Sequence, residues 1–357
     1  MNEVYSDPQY KAAKFLGKYL MLAVFIIGTV GNLLSFLVMV RKRMRSSTTA
    51  FYMACLAVAD TLVLLTGCLR RWILEVFEVD LLNVNTVACH SVNFLQYLSF
   101  DIATWILVAM TIDRVVVVTN PLKAYRYSTR ARAAASIVIL IVLFVGLNSH
   151  FFFTTEHNER NICTAAEQYR EFYVAIWSWI DAVVYSFLPF TLLLLLNIII
   201  IVSIMKANGR KRKMSSQFQN RRKSEQSHTL KTSRLTAMLL SITFAFILLT
   251  APSMIVHIIR EQAIFDQSQP SNVAKYILTR QVLRLTLYLN HSINFFLYCV
   301  AGTKFRRELA AMICCPRVDS QHHKYVTRTS MASISAYGAT SQSMPQSETV
   351  DSVVNVV

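Results

Sequence analysis

Charged residues are scarce in this chain of 357 residues, where Asp, Glu, Lys and Arg together make up 16% of the sequence. Soluble domains carry about 25% charged residues, so this composition excludes an ordinary soluble domain. Acids are the scarcer sign, because 20 Asp and Glu stand against 36 Lys and Arg. The basic residues lie in short blocks between long apolar runs, and this distribution favours a membrane protein over a nucleic-acid-binding protein.

The sequence also lacks the patterns that catalysis, metal binding and transport require. It has no metal-ligand spacing, no Gly-rich phosphate loop and no nucleophile–base motif, so we expect neither an enzyme nor a metal site. The His322–His323 pair is interpreted as a solvated pair in a tail. No internal repeat of the transporter type is present, and the polar N-terminal residues predict no cleaved signal peptide.

Hydrophobic residues, in contrast, make up 54% of the chain, and the mean hydropathy is +0.41. Seven apolar runs reach the length of about 20 residues that a membrane-spanning helix needs. They lie at roughly 17–40, 50–74, 88–118, 134–155, 173–205, 234–259 and 276–300. The sequence therefore predicts an all-α fold, a bundle of seven transmembrane helices that we number as spans 1 to 7.

The organisation of the chain follows from these spans. Residues 1–16 are predicted to form an extracellular N-terminal tail and residues 17–302 the bundle. Residues 303–315 are predicted to form an amphipathic helix on the membrane surface, with Phe305 and Leu309 facing lipid, and 316–357 a disordered cytoplasmic tail. Basic blocks at 41–45 and 209–213 alternate with acidic loops, which places the N-terminus outside the cell and the C-terminus in the cytoplasm.

The seven cysteines are sorted by this topology. Cys89 opens span 3 and Cys163 lies in the loop before span 5, so both fall on the oxidising outer side. A disulfide bond between them is predicted, with two free thiols as the alternative. Cys314 and Cys315 follow the last span on the cytoplasmic side and are predicted to be S-palmitoylated.

Asp113 and Arg114 are two charges in strongly apolar surroundings. A helix that begins at Cys89 rises about 37 Å by residue 114, which brings Arg114 to the cytoplasmic mouth of span 3. An acid one residue before the arginine can hold the guanidinium in place until another partner competes for it.

Motifs in several spans, taken together and in chain order, are specific. They are GN at 31–32, LAVAD at 56–60, Cys89, DRV at 113–115, Pro189, Phe246, Pro252, NFFLY at 294–298 and FRREL at 305–309. With them the chain resembles the rhodopsin-like (class A) G protein-coupled receptors over nearly its whole length, and within that class the neuropeptide receptors.

The resemblance implies a conformational switch for G protein coupling. The residues that match it are Asp113, Arg114, Asn294, Tyr298, Phe246 and Pro252. Four positions of the switch depart from the family pattern, and the first is Val115, which stands in place of a tyrosine while Asp113 and Arg114 remain. Phe295 stands in place of a proline and predicts a straighter span 7, Thr250 stands in place of a tryptophan, and Asn197 in place of a tyrosine.

The resemblance also implies a polar core around Asp60. Asn32, Asn290 and Asn294 are the amides expected to face this carboxylate, while Ala103 replaces a hydroxyl that the family usually has. In the family such a cluster holds a sodium ion with water. A core filled by water alone is the alternative, and no other cofactor is expected.

The outer halves of the spans indicate the ligand class. Gln96 stands where amine receptors carry an aspartate and Tyr288 where opsins carry a lysine, so neither amine nor light reception is expected. The predicted ligand-binding residues are Arg70, Arg71, Gln96, Tyr97, Asp181, His257, Arg280, Gln281, Arg284 and Tyr288, with Asp101 as a further acid. Arginines would favour a carboxylate, sulfate or amidated C-terminus. Alternatively, they snorkel to the interface or pair with Glu75, Glu78 or Glu261.

The predicted function is therefore a plasma-membrane receptor for an extracellular peptide, coupled to heterotrimeric G proteins and embedded in membrane lipid. Serines and threonines in the tail are expected substrates of receptor kinases, and phosphorylation would create a surface for arrestin. A receptor for a small anionic metabolite or lipid is the alternative. A transporter is a more distant one, because Asp60 and Asp101 are too few for a polar path through the membrane.

Overall fold

The structure is a computed structural model, and it describes residues 2–214, 239–253, 255–256 and 269–313. The chain divides into two units, Met1–Ala310 and Ala311–Val357. The first unit contains the helix bundle. Of the second unit, only residues 311–313 are described. The predicted palmitoylation sites at Cys314 and Cys315, the tail and His257 all lie outside the described residues.

The bundle is built from the predicted spans. In the described part of the chain, spans 1 to 5 are helices long and apolar enough to cross a membrane, namely Pro8–Met39, Thr48–Phe77, Thr86–Thr119, Arg130–Thr154 and Phe172–Ala207. Span 6 is described over the apolar helix Leu239–Ser253, and span 7 over Pro270–Ser292 and Asn294–Ala301. The predicted all-α class is confirmed.

Four π-helical turns lie within these helices and shift the register of the residues that follow them. They are Leu16–Leu20 in span 1, Leu64–Leu69 in span 2, and Phe172–Trp177 and Ala182–Phe187 in span 5. Such turns occur frequently at functional sites. The turn Ala182–Phe187 contributes four of the residues that line the cavity described below.

Shorter elements lie between the spans and at their two ends. The helices are Asn2–Ser6, Leu81–Asn83, Pro121–Tyr127, Glu167–Tyr169 and Thr303–Ile313. Two short antiparallel strands that the sequence did not reveal, β1 (Thr155–His157) and β2 (Cys163–Ala165), form a hairpin before span 5. Cys163 of β2 is bonded to Cys89 of span 3, so the predicted disulfide is confirmed.

The helix of span 1 begins at Pro8, nine residues before the predicted start at 17. Proline fits the first helical position, and the Asp7 side chain caps the helix by accepting a hydrogen bond of 2.7 Å from the Gln9 backbone N–H. Lys14, one turn before the apolar run, forms an ion pair of 3.4 Å with Glu75 of span 2. Polar residues of the predicted tail therefore extend the first span.

Span 7 is interrupted at Ile293, so the prediction of a straighter span without proline is wrong. The side-chain amide of Asn32 donates a hydrogen bond of 3.0 Å to the His291 backbone carbonyl. In a continuous α-helix that carbonyl would accept from the N–H of Phe295. The Asn32 amide therefore competes with the Phe295 N–H for the His291 carbonyl. In the family pattern, a proline in place of Phe295 would instead remove that N–H donor.

The helix Thr303–Ile313 packs differently from the prediction for its aromatic residue. Phe305 is fully buried, with its ring centroid 5.5 Å from that of Tyr298 and 5.9 Å from that of Phe295, so it faces span 7 and not lipid. Glu308 is also buried and forms ion pairs with Arg41 at 3.2 Å and Arg43 at 3.8 Å. The helix is therefore fixed to the loop that follows span 1.

Candidate functional site

A cavity of about 410 Å³ lies at the end of the bundle that carries the Cys89–Cys163 disulfide. It is enclosed by spans 2, 3, 5, 6 and 7. Its described lining residues are Arg71, Gln96, Tyr97, Phe100, Ser178, Asp181, Ala182, Tyr185, Ser186, Phe187, Ser253, Arg280, Arg284, Leu287 and Tyr288.

Seven of the predicted ligand-binding residues line this cavity, namely Arg71, Gln96, Tyr97, Asp181, Arg280, Arg284 and Tyr288. The structure adds three aromatic residues that the sequence reasoning missed, Phe100, Tyr185 and Phe187. Phe100 lies four residues after Gln96, and Tyr185 four residues after Asp181. Residues at this spacing share one face of a helix, so the period of the helix could have found both.

Two predicted ligand-binding residues lie elsewhere in the structure. Arg70 is 3% exposed and forms an ion pair of 2.8 Å with Asp80 in the following loop. Gln281 is buried against span 1, where a Cβ added at Gly17 would lie 2.9 Å from its Nε2 atom. The further acid, Asp101, accepts a hydrogen bond of 2.8 Å from Asn148 and is not among the lining residues.

The cavity contains charges of both signs. The guanidinium groups of Arg71, Arg280 and Arg284, from spans 2 and 7, lie close enough to repel one another. Asp181, from span 5, supplies a carboxylate. Among the described residues, neither Arg71, Arg284 nor Asp181 forms an ion pair or a side-chain hydrogen bond. All three are half-buried, and charges partly removed from water without partners are costly to the folded chain.

Buried polar atoms without partners lie on the same walls. The Gln96 Oε1, Tyr185 hydroxyl and Ser253 Oγ atoms have no hydrogen-bond partner among the described residues. Buried polar groups in proteins are generally satisfied, by protein or by other molecules. These atoms therefore give the cavity hydrogen-bonding capacity for water or for a bound ligand.

The floor of the cavity is aromatic and close-packed. The Phe100 ring centroid lies 5.2 Å from that of Tyr185 and 6.2 Å from that of Tyr288. Tyr288 fits because span 2 has Gly67 opposite it, where a Cβ would lie 2.8 Å from the Tyr288 ring. Phe100 also contacts the ring of His291 at a centroid distance of 5.3 Å. This contact connects the floor of the cavity with the interior of the bundle.

His291 belongs to a polar core that the sequence predicted only in part. Asp60 is 1% exposed, and its two carboxylate oxygens accept hydrogen bonds from His291 Nδ1 at 2.8 Å and Asn294 Nδ2 at 2.7 Å. Asn32 donates to the backbone of His291, and Asn290 is buried nearby in span 7. His291 was missed, although it lies three residues before Asn294 on the same face of span 7.

We propose that His291 and Asn294, and not the sodium ion that the resemblance implies, stabilise the Asp60 carboxylate. Hard cations bind oxygen atoms, and here both oxygens of Asp60 are engaged by N–H donors from span 7. The imidazole of His291 lies against the carboxylate where a cation would bind, and Ala103 supplies no oxygen. We therefore assign the stabilisation of Asp60 to His291 and Asn294.

At the opposite end of span 3, Asp113 and Arg114 form a buried network. The Arg114 guanidinium is ion-paired with Asp113 and donates a hydrogen bond of 3.0 Å to Thr48 Oγ1 of span 2. The Thr48 hydroxyl also lies 3.2 Å from Asp113 Oδ2 and 3.1 Å from Ser128 Oγ. The arginine is therefore bound by groups from two spans and is 7% exposed.

The other positions of the predicted switch lie in the packed interior. Phe246 is fully buried, and its carbonyl accepts a hydrogen bond of 2.7 Å from the Thr250 hydroxyl. Pro252 follows two residues after Thr250, and the next residue, Ser253, lines the cavity. Asn197 of span 5 donates to Thr243 Oγ1 of span 6 at 2.7 Å. Spans 5 and 6 are thus joined by a direct hydrogen bond at Asn197, one of the positions that depart from the family pattern.

Comparison with known proteins identifies the class of this architecture. The model of the seven-transmembrane receptor family (rhodopsin family) matches residues 31–298, which is most of the chain. The chain belongs to this family. The family consists of multi-pass membrane receptors and not of enzymes. The predictions that the chain is a membrane receptor and that it is not an enzyme are therefore confirmed.

Similar proteins include several peptide-hormone receptors. The mouse thyrotropin-releasing hormone receptor is 26% identical over 340 residues, which cover 88% of this chain and 84% of that protein. The pig growth hormone secretagogue receptor type 1 is 25% identical over 302 residues, covering 80% and 76%. A probable G-protein coupled receptor of Caenorhabditis elegans is 23% identical over 318 residues, covering 84% and 70%.

The assignment of His291 predicts that the receptor does not respond to sodium. Replacing KCl by NaCl should leave the thermal unfolding midpoint (Tm) of the purified wild-type protein unchanged. The His291→Ala variant frees one oxygen of Asp60, so sodium should raise its Tm by roughly 2–4 °C, equivalent to about 1 kcal/mol of binding. A His291→Ala/Asp60→Asn double variant is the control. A sodium-specific rise in the wild-type Tm would contradict the assignment.

Proposed function

We propose that this chain is a plasma-membrane receptor for an extracellular peptide and that it signals through heterotrimeric G proteins. The observation that carries the proposal is the cavity with charges of both signs and no ion-pair partner for Arg71, Arg284 or Asp181 among the described residues. Relatives named as thyrotropin-releasing hormone and FMRFamide receptors support a peptide as the ligand class.

The chemistry of the cavity suggests what the peptide presents. Arg71 and Arg284 suit a carboxylate, sulfate or carbonyl-rich amidated end, because guanidinium groups donate forked hydrogen bonds to such groups. Asp181 suits a cationic side chain or an N-terminal amine. The aromatic floor of Phe100, Tyr185 and Tyr288 suits an apolar side chain. One short peptide can carry all three groups.

The orientation of the chain supports access from outside the cell. The cavity shares its end of the bundle with the Cys89–Cys163 disulfide, and disulfides persist on the oxidising side. The basic blocks lie in the alternate loops, as the positive-inside rule requires for a cytoplasmic face. The N-terminus is therefore extracellular and Arg114 lies at the cytoplasmic mouth.

A contiguous set of contacts links the cavity to the inner half of the bundle. Phe100 lines the cavity and touches His291, which is hydrogen-bonded to Asp60. Asp60 accepts in turn from Asn294, one turn before Tyr298. A peptide that contacts Phe100 or Tyr288 can bind one conformation of the receptor more tightly than another. Its binding would then shift the equilibrium of this network toward the conformation that it prefers.

Regulation at the cytoplasmic side completes the proposal. Phosphorylation of tail serines and threonines by receptor kinases would add negative charge for arrestin, and palmitoylation of Cys314 and Cys315 would anchor the chain beyond span 7 to lipid. These residues lie outside the described part of the chain.

A small anionic metabolite or lipid is the second candidate. Arg71, Arg280 and Arg284 favour it, because a compact anion could satisfy all three guanidinium groups at once. Asp181 opposes it, since the carboxylate would remain without a cation. The two candidate ligands therefore predict different contributions of the arginines and of Asp181 to the affinity for the ligand.

The first test is a screen of amidated and free-acid peptides on cells that express the chain, with calcium and cAMP readouts. For a peptide that activates it, Arg284→Gln and Asp181→Asn should each weaken potency by about 10- to 100-fold, because each removes a charge-assisted contact. Arg170→Gln, on the exposed surface, is the matched control. Loss of response in Arg284→Gln with an unchanged response in Asp181→Asn would favour the small anion.

Coupling through Arg114 gives a second prediction. Asp113→Asn removes the acid that holds the arginine and leaves only neutral acceptors such as Thr48, so ligand-independent nucleotide exchange on the G protein should rise by about 5- to 100-fold. Arg114→Gln should abolish exchange at equal surface expression. Thr119→Ala, which removes only two local hydrogen bonds, with Val115 and Asn120, is the control. Unchanged basal exchange in Asp113→Asn would contradict the proposal that Asp113 holds Arg114.

A further inference from the structure

A second cavity, of about 260 Å³, lies at the end of the bundle opposite the ligand cavity. It forms a groove where span 1 ends and spans 2 and 4 begin. Its walls are apolar and include Val40, Phe51 and Ala54, while its rim carries two arginines, Arg45 and Arg130. None of these residues has a part in ligand binding or in the Asp113–Arg114 network.

The two rim arginines are placed without acidic partners. The Arg130 guanidinium donates a hydrogen bond of 3.3 Å to the Arg45 backbone carbonyl and lies 5.4 Å from the centre of the Phe51 ring. Neither Arg45 nor Arg130 forms an ion pair with a described residue, whereas Arg41 and Arg43 in the same loop are paired with Glu308. The positive charge at the rim is thus left available to an external anion.

The start of span 4 adds to this positive charge. The helix Arg130–Asn148 begins at the rim itself, with Thr129 as its N-cap. The first N–H groups of a helix carry a partial positive charge that favours a phosphate nearby. Two guanidinium groups and a helix N-terminus therefore point to the same chemical class of ligand.

The surface around the groove faces lipid and not water. Exposed apolar residues continue along the same spans, with Leu37 at 41%, Val58 at 47% and Val138 at 58% exposure. In a membrane-spanning bundle such side chains contact acyl chains. The groove therefore combines an apolar depth, open to lipid, with a cationic rim at the level where headgroups lie.

We propose that this groove binds one anionic phospholipid of the cytoplasmic leaflet, with its phosphate at Arg45 and Arg130 and an acyl chain along Val40 and Ala54. The choice of leaflet rests on the proposed orientation, and the binding itself does not depend on the peptide ligand. A bound lipid would join the inner ends of spans 1, 2 and 4. It would thereby stabilise the first half of the bundle. The helix Thr303–Ile313 lies beside this region, because its Glu308 is ion-paired with Arg41.

The test uses the purified full-length receptor in micelles that contain phosphatidylcholine and phosphatidylserine. Native mass spectrometry counts the retained lipids, and Tm is followed during titration with phosphatidylserine. The wild type should retain one phosphatidylserine in preference to phosphatidylcholine. Arg45→Gln/Arg130→Gln should weaken that binding by roughly 30-fold, since each basic residue contributes about a fivefold effect near a charged membrane surface.

Matched variants separate the groove from general attraction. Lys42→Gln/Lys123→Gln removes two exposed charges outside the groove and should retain the lipid. Ala54→Leu partly fills the groove and should weaken binding with both arginines intact. Equal losses in both double variants would overturn the proposal in favour of non-specific attraction. Glycerophosphoserine binding as tightly as the lipid would overturn it in favour of a site for free phosphate groups.

Discussion

The cost of holding a charge in apolar surroundings is the constraint on which this bundle depends. Most of its buried charges are neutralised locally, as Arg114 is by Asp113 and Arg70 is by Asp80. Asp60 accepts hydrogen bonds from His291 and Asn294. The cavity differs, because Arg71, Arg284 and Asp181 face it without ion-pair partners among the described residues. A ligand with complementary groups would supply what the fold leaves unpaired.

In the proposed mechanism ligand binding and coupling lie at opposite ends of the bundle, and a set of contacts leads from the cavity inward as far as Asn294. Phe100 belongs to the cavity and also touches His291, so a change in the cavity floor acts directly on the partner of Asp60. Where the family pattern uses a tryptophan and a tyrosine, this chain has a Thr250 bonded to its own helix and an Asn197 bonded to span 6. We propose that the altered switch depends on these hydrogen bonds more than on a large rotating ring.

The class of fold and the positions of the spans could be predicted from the sequence, because apolar length and alternating loop charge are strong signals. The direction in which an individual side chain points could not be predicted from the sequence. Arg70 and Arg71 are adjacent in sequence, yet Arg71 lines the cavity and Arg70 bonds to Asp80, a loop residue whose position no periodicity reveals. His291 was overlooked because a histidine in a span has no fixed role until its partner is known. The bend at Ile293 likewise depends on Asn32, which lies 259 residues before its acceptor.

Arg71 and Arg284 line the cavity, and the described part of the chain contains no ion-pair partner for either arginine. The most direct test compares the Tm of the ligand-free receptor with those of Arg284→Met and Arg70→Met. Arg284→Met should raise the Tm by several degrees, because the substitution replaces an uncompensated charge by an apolar side chain of similar length. Arg70→Met should lower the Tm, since it leaves Asp80 without its partner. A fall of similar size in both variants would show that Arg284 is already paired in the free receptor and would contradict the account.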